Sequence, residues 1–130
     1  MSEWTTWFNA LDEDHKKQVR SAVAGETTSL DLSGGKFTHI PHRLFIDCRA
    51  LTELNLQGCT SLAALPESIA QLQALTKLDL NSSPLLAALP ESIGQLRALT
   101  TLDLSRCESL AAESIKRGER LRKRNQRIRD

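Results

Sequence analysis

A sequence period of 24 residues constrains this chain more than any other feature. Residues 51–74 read LTELNLQGCTSLAALPESIAQLQA, and residues 75–98 read LTKLDLNSSPLLAALPESIGQLRA. A third copy begins at residue 99 as LTTLDLSRCESLAA, and a looser copy begins at residue 29 as SLDLSGGKFTHIPHRLFIDCRA. One such unit alone leaves its apolar faces in water, whereas a stack of units buries a continuous core. The repeat therefore predicts a solenoid.

The pattern inside each unit predicts its local structure. The opening L-x-x-L-x-L alternates apolar and polar residues, which favours a short strand with its leucines on one face. Later apolar residues recur at spacings of three and four, as from Leu62 to Leu65 and Ile69. These spacings favour a turn and a short helix, with Pro66 or Pro90 near its start. We expect an α/β fold, a short right-handed solenoid with one parallel sheet of about four strands and a helical cap at each end.

Two units, LTELNLQGCTSL and LTTLDLSRCESL, follow the pattern L-x-x-L-x-L-x-x-C-x-x-L, and a third, LTKLDLNSSPLL, follows it with Ser83 in place of the cysteine. They resemble leucine-rich repeats, and the resemblance covers residues 27–112. The LPESI phrase followed by L-x-x-L resembles repeats of plant nucleotide-binding resistance proteins and of effectors of plant-associated bacteria. The segment WTTWFNALDEDHKKQVRSAV before LDLSG resembles the helical cap of bacterial ubiquitin-ligase effectors. The resemblance implies a non-enzymatic protein-interaction module of bacterial effector type.

The ninth position of each unit holds Gly35, Cys59, Ser83 or Cys107. The family resemblance implies that these residues turn inward and bond to the backbone of neighbouring coils. Cys59 and Cys107 lie two coils apart, about 10 Å at the usual strand spacing, which exceeds disulfide reach. The chain has three cysteines, an odd number without close spacing, so we predict free thiols.

A stack of repeats exposes its core at both ends, so its terminal units must be atypical. We predict an N-terminal helical cap at 1–26, repeats over 27–112, and a basic helical cap or tail at 113–130. The repeats divide into 27–50, 51–74, 75–98 and 99–112.

The N-terminal segment predicts a helix that starts after Asp12, runs to about Val23 and leaves through Gly25. Its apolar residues form a stripe that we interpret as a lid over the first coil, not as a ligand site. The stripe consists of Trp4, Trp7, Phe8, Leu11, Val19, Ala22 and Val23.

The C-terminal segment repeats the earlier phrase without Leu-Pro, as LAAESI, which predicts a helix with Ser109 as N-cap. Residues 113–130 hold eight Lys or Arg against three Asp or Glu, whereas residues 1–112 hold nine against thirteen. The net charges are therefore +5 and −4, so the basic character belongs to the tail. Its cations are Lys116, Arg117, Arg120, Arg122, Lys123, Arg124, Arg127 and Arg129.

The strand residues between the leucines predict a polar, mildly acidic surface on the concave side of the sheet. We expect this surface to bind another protein, although solvated strand residues give the same pattern. The candidate partner-binding residues are Glu53, Asn55, Gln57, Lys77, Asp79, Asn81, Thr101, Asp103 and Ser105.

Two other functions stay open at this point. The basic tail can bind nucleic acid or act as a nuclear address, because clustered Lys and Arg attract phosphate regardless of sequence. A stack this short can also cover an imperfectly capped end with a second copy, which leaves a monomer or a weak homodimer.

No motif indicates catalysis, a metal or a cofactor. His39-x-x-His42 with Cys48 fits no zinc spacing, and the chain has no nucleophile elbow or phosphate-binding glycine loop. We therefore predict no enzyme. The sequence shows no apolar leader and no membrane span, so we expect no membrane contact and a cytoplasmic protein, with delivery into a host cell by a specialised secretion system as an alternative.

Overall fold

The computed structural model describes the backbone of residues 2–129 and the side chains of residues 2–126. Four short strands form one parallel sheet in chain order. Each strand residue pairs with the equivalent residue of the next coil, as Leu54 pairs with Leu78. The strands are β1 Ser29–Asp31, β2 Glu53–Asn55, β3 Lys77–Asp79 and β4 Thr101–Asp103. The predicted α/β solenoid with a four-stranded parallel sheet is confirmed.

Short helices occupy the return segments between strands. The first return contains α3 His42–Asp47, and the next two contain 3-10 helices at Glu67–Gln71 and Glu91–Gln95. Pro66 and Pro90 each precede a 3-10 helix in extended backbone. At that position the missing proline N–H removes no helical hydrogen bond.

Leucine and isoleucine side chains from both layers fill the space between the sheet and the returns. Leu54 and Leu78 of the sheet are at most 1% exposed, and Ile69 and Ile93 of the returns are fully buried. Full burial of one such side chain contributes about 1.5–3 kcal/mol. The regular spacing of these residues explains why one unit can stack directly on the next.

The turn that follows each strand requires a positive φ at the eighth residue of the unit. Gly34 and Gly58 adopt φ of 71° and 70°, and Ser82 and Arg106 adopt 65° and 58°. Glycine tolerates this left-handed conformation, whereas a residue with a Cβ is strained in it. The last two coils therefore carry backbone strain that the first two avoid.

Two helices precede β1. The predicted helix is present as α2 Glu13–Val23, and Asp12 Oδ1 accepts the His15 N–H at 2.7 Å. A second helix, α1 Glu3–Asn9, lies where the sequence predicts an apolar stripe without a separate helix. It begins after Ser2, whose hydroxyl accepts the Thr5 N–H at 3.1 Å.

Trp7 of α1 joins the N-terminal helices to the first coil. Its indole meets the Phe37 ring edge-on at 5.6 Å between centroids, and the residue is 4% exposed. Its Nε1–H has no acceptor among the residues that the structure describes. An unsatisfied buried donor costs about 1–3 kcal/mol, so the apolar contacts of Trp7 must outweigh this loss.

The helix predicted at the C-terminus is α4 Ala112–Arg129. The prediction of Ser109 as its N-cap is wrong, because α4 begins three residues later. Leu110 is still buried like a repeat residue, and the Ala111 N–H donates to Ala87 O at 2.9 Å. The coil thus continues as far as Ala111 before the helix starts.

Candidate binding surface along the sheet

The outward residues of the four strands form a continuous polar surface, which we call the strand surface. Ser29, Glu53, Lys77 and Thr101 occupy equivalent positions on neighbouring strands, and all four are exposed. Within residues 2–126, neither Glu53 nor Lys77 forms an ion pair. Their charges are therefore available to a partner.

The next outward column has an internal role as well. The side-chain Oδ1 atoms of Asp31, Asn55, Asp79 and Asp103 each accept the backbone N–H two residues ahead, at 2.9 Å in every coil. These bonds hold the turn that leaves each strand. Three of these residues were predicted to bind a partner, and the structure shows that they also fix the backbone.

The same contacts lower the pKa of two of the four side chains. Hydrogen bonds from the Ser33 side chain and backbone hold the pKa of Asp31 below its ordinary value, and those of Ser105 do the same for Asp103. These carboxylates therefore stay charged in mildly acidic solution.

Threonines one residue before the strands also form hydrogen bonds between successive coils. Thr52 Oγ1 donates to Thr28 O at 3.2 Å, and Thr76 Oγ1 donates to Thr52 O at 3.0 Å. These bonds engage threonine hydroxyl groups that the sequence alone shows only as polar surface residues. They also tie successive coils together along the edge of the strand surface.

The predicted partner-binding residues divide between two depressions. Glu53, Asn55, Lys77 and Asp79 line a groove of about 130 Å³ over β1–β3, which we call the central groove. Thr101, Asp103 and Ser105 line a cleft of about 450 Å³ beside α4, which we call the C-terminal cleft. Gln57 and Asn81 lie on the turns and line neither depression.

Residues of α4 extend the strand surface in a way that the sequence did not reveal. Ile115, Glu119 and Arg122 form the opposite wall of the C-terminal cleft. Arg122 was assigned to the basic tail, but here it lies beside the last strand. It supplies the strand surface with an arginine, a residue type that commonly anchors protein interfaces.

Two other tail cations, Arg117 and Arg124, hold α4 to the last return. Arg117 Nη1 donates to Leu89 O at 3.2 Å, and Arg124 Nη2 donates to Gly94 O at 2.8 Å. Arg120 pairs with Glu113 at 3.1 Å. Lys116 and Lys123 are exposed. The side chains of Arg127 and Arg129, which the sequence analysis includes in the basic tail, lie outside the described residues.

Buried hydrogen bonds complete the α4 contact. Asn125 is 1% exposed, and its Nδ2 donates to Leu96 O at 2.8 Å and to Leu99 O at 2.6 Å. Ser114 Oγ accepts the Leu89 N–H at 3.0 Å. Polar side chains of α4 thus meet backbone groups of the final return.

Inward residues at the ninth position are structural. Cys59 Sγ–H donates to Leu32 O at 3.3 Å, and Cys107 Sγ–H donates to Leu80 O at 3.1 Å, as the family resemblance implied for this position. Ser83 is also buried, but its hydroxyl has no hydrogen-bond partner among the described residues, so the implied bond is not made there. All three cysteines are free and buried, which confirms the predicted thiols. Burial raises the pKa of Cys59 to about 11, so the thiol stays protonated and poorly nucleophilic at neutral pH.

His39, His42 and Cys48, the local cluster of potential metal ligands in the sequence, do not come together as a metal site within the described residues. Within residues 2–126, no group of three or more His, Cys, Asp or Glu side chains is arranged to hold a metal ion. His39 instead faces Glu3 at 3.7 Å, and Cys48 is buried. None of the described helices has the length and apolar character to cross a membrane.

This architecture is similar to that of known proteins. The family model described as leucine rich repeat matches residues 26–85. The chain is a leucine-rich repeat protein. A solved leucine-rich repeat protein of Leptospira interrogans is 31% identical, with a TM-score of 0.58. The match covers 74% of this leucine-rich repeat chain but only 24% of the Leptospira chain. No curated protein sequence matches at a significant level.

Proposed function

We propose that the strand surface of this leucine-rich repeat protein binds another protein without catalysing a reaction. The observation that carries the proposal is the in-register row Ser29, Glu53, Lys77 and Thr101, which is exposed on every strand. Repeat solenoids typically use such extended surfaces for binding.

The backbone behind this row is rigid, which favours recognition. The turn after each strand is held by an Asp or Asn side chain, as at Asp79, whose Oδ1 accepts the Asn81 N–H. A preorganised surface loses little conformational entropy on binding, so more of the contact energy contributes to affinity. Arg122 at the C-terminal cleft offers an anchor beside the last strand.

The charges favour a partner with basic side chains. The central groove contains Asp31, Glu53 and Asp79 against the single cation Lys77. Opposite charges across an interface speed association and select the register of binding. We propose a polar, positively charged segment of the partner at this groove.

A double charge exchange, Glu53→Lys with Lys77→Glu, tests the proposal. Both side chains are exposed and neither holds a turn, so the fold should survive. We expect affinity for a partner captured from a host or native lysate to fall at least about tenfold. A matched control is Glu91→Lys with Arg97→Glu on the return segments, where both residues are also exposed. Unchanged capture by the strand-surface variant, with native circular dichroism, refutes the proposal.

Effector origin rests on the resemblance of the LPESI repeats to those of plant-associated bacteria. We propose that the protein acts inside a host cell after delivery by a secretion system. A fusion to a calmodulin-dependent adenylate cyclase tests this, because cyclic AMP rises only when the fusion reaches host cytoplasm. A rise that does not depend on the secretion system contradicts delivery.

The tail remains the basis of an alternative, nucleic-acid binding or nuclear targeting. Lys116 and Lys123 favour it, because both are exposed and lie seven residues apart, on one side of α4. Duplex DNA or RNA binding that weakens steeply with salt, and is lost with Lys116→Ala and Lys123→Ala, supports the alternative. Absence of binding at low salt excludes it.

A further inference from the structure

We propose that the outer edge of strand β4 binds an extended segment of a protein partner as a fifth strand of the sheet. Each of β1, β2 and β3 uses one edge to bond the strand that follows it, and β4 is the last of the four strands. The C-terminal cleft lies along its outer edge, with α4 as the opposite wall. The proposal rests on the proposed protein-binding function, but it assigns the contact to the edge of the sheet instead of its face.

In the interior of the stack, two backbone donors of each unit bond to the next strand. The sixth residue of the unit donates its N–H at 2.8–2.9 Å, as Leu80 does to Asp103 O. The eighth residue donates at 2.8 Å, as Ser82 does to Ser105 O. These bonds recur at all three junctions between coils, so they define what an added strand must accept.

The equivalent donors of the last coil are the N–H groups of Leu104 and Arg106. Neither group has an acceptor among the described residues. Leu104 is half-buried and lines the C-terminal cleft, and Arg106 is exposed. The two donors therefore face a space that an extended segment can enter.

The opposite edge of the sheet, at β1, is closed by side chains of α2. Gln18 Oε1 accepts the Asp31 N–H at 3.3 Å, and His15 Nε2 bonds to Ser33 O at 2.9 Å. An uncovered edge is a template for pairing with another chain, so proteins usually cover or blunt it. This molecule covers the edge of β1 in that way, whereas the donors at the edge of β4 stay unbonded within the described part of the chain.

The helix α4 passes beside β4 without bonding to its backbone. Asn125 Nδ2 donates to Leu99 O at 2.6 Å, and Gln126 Nε2 donates to Thr100 O at 3.2 Å, both just before the strand. Along residues 101–106, no backbone group bonds to a described residue of α4. The helix therefore covers the apolar core and leaves the strand edge reachable from the cleft.

The walls of the cleft indicate a segment with apolar residues at alternate positions. Ile115 on the helix wall is 37% exposed, and Leu104 on the strand wall is only half-buried. An extended segment directs alternate side chains to these two residues and the others onto the strand surface. The charged residues of the cleft have both signs, Asp103 and Glu119 against Arg122, so uncharged polar side chains suit the surface positions.

The dimensions favour a short segment over a second copy of the chain. Residues 101–105 line the cleft, and five extended residues span about 17 Å. A second copy brings its own α4 beside its β4 and so crowds the same cleft, whereas an isolated segment has no helix attached. Backbone bonds supply affinity for such a segment, and the alternate apolar side chains set its register.

Two-dimensional 1H–15N NMR of the full chain tests the site through the amides of Leu104 and Arg106. The probe is the acetylated and amidated peptide Lys-Thr-Val-Thr-Val-Thr-Lys. We expect saturating peptide to slow exchange of both amides with solvent at least about tenfold. The Gly58 amide is the internal control, because it already donates to Asn81 O at 2.8 Å and its exchange should change little. Unchanged exchange at Leu104 and Arg106 overturns the proposal.

Two N-methylated forms of the peptide separate edge pairing from binding through side chains alone. One form carries methyl groups on both valine nitrogens, and the other carries them on two threonine nitrogens. Alternate N–H groups of a strand face opposite edges, so only one form keeps the N–H groups that face β4. We expect a difference in affinity of at least about tenfold between the two forms. Equal affinities overturn the proposal.

Ile115→Ser should weaken peptide binding about fivefold. Leu85→Ser is the matched control, because Leu85 is 56% exposed and does not line the cleft. An unaffected Ile115→Ser variant contradicts the proposed register. Slower exchange at Leu104 that grows with protein concentration in the absence of peptide identifies a second copy as the occupant and overturns the proposal.

The charge exchange Glu53→Lys with Lys77→Glu distinguishes this result from that of the strand surface. Neither residue lines the C-terminal cleft, so the variant should bind the peptide normally. Peptide binding that survives this exchange, together with unchanged partner capture, supports the edge and refutes the face.

Discussion

The two ends of the stack are closed by different chemistry. At the N-terminus, Trp7, Leu11 and Val19 bury apolar surface against the first coil. At the C-terminus, α4 buries Leu121 and also meets the repeats through buried hydrogen bonds, such as those of Ser114 and Asn125 to backbone groups. The N-terminal contact is mainly aromatic and aliphatic. The C-terminal contact combines an apolar part with hydrogen bonds to backbone groups of the repeats.

This difference follows from what each end must satisfy. A following coil would bond to the backbone of the return before it, as the Ala87 N–H bonds to Ala63 O at 3.4 Å. Arg117 and Arg124 of α4 supply such donors to carbonyl groups of the last return. Apolar burial tolerates small shifts in position, whereas paired polar groups require correct geometry. The N-terminal contact should therefore contribute more stability, and the C-terminal contact should be more specific.

The largest expected effect is that of Trp7→Ala. Truncation of this indole leaves a cavity beneath α1, and we expect the free energy of unfolding to fall by about 3–5 kcal/mol. Urea unfolding followed by circular dichroism measures the change. Trp4→Ala is the control, because Trp4 is only partly buried and should cost less. Equal losses in the two variants contradict an N-terminal contact centred on Trp7.

Asn125→Ala should have the next largest effect. It removes the donors to Leu96 O and Leu99 O, and we expect a loss of about 1–3 kcal/mol. Hydrogen exchange should also rise first in α4 and the last return. Gln126→Ala removes one exposed bond of 3.2 Å to Thr100 O and should cost much less. Uniform destabilisation with unchanged exchange in α4 argues against a polar C-terminal contact.

Arg106→Gly should stabilise the protein. Arg106 has a φ of 58° in the last coil, where the first two coils have glycine. Relief of this strain should exceed the entropy that glycine adds to the unfolded chain, with a net gain of about 0.5–1 kcal/mol. Ser105→Gly, at a position without positive φ, should give no gain. Thermal unfolding of both variants measures the change in stability. A destabilised Arg106→Gly variant refutes the prediction that backbone strain at Arg106 lowers stability.

Acid dependence should be the smallest effect, and it concerns both terminal strands. The pKa values of Asp31 and Asp103 are lower in the folded protein than the value of about 3.9 in an unfolded chain. The stability they contribute is therefore present above about pH 4 and is lost as pH falls through the folded values. Asp31→Asn and Asp103→Asn keep the Oδ1 acceptor and remove the charge, so each should lose less stability between about pH 5 and pH 3. Thermal unfolding across this pH range measures the loss of stability. A pH dependence in both variants that equals that of the unmodified protein contradicts the prediction.

Sequence alone predicts the interior of this molecule better than its ends. The spacing of leucines determines which residues are buried, so the strands and the returns follow directly from the period. The start of α4 depends on contacts such as that of Ser114 with the Leu89 N–H, which joins residues 25 positions apart. Arg122 lies beside the last strand for the same reason, and the depression between α1 and residues 36–39 likewise needs segments far apart in the sequence. No local pattern encodes such pairings.

The loss of Leu-Pro before Glu113 has a consequence for the evolution of this array. The C-terminal cap contacts the last return and the last strand, and the 24-residue period keeps the same strand register from β2 to β4. Duplication of residues 75–98 should therefore lengthen the molecule by one strand, about 4.8 Å, without remaking either terminus. The surface offered to a partner should therefore widen with each added repeat, and the stack ends where the segment without Leu-Pro forms α4 in place of a return.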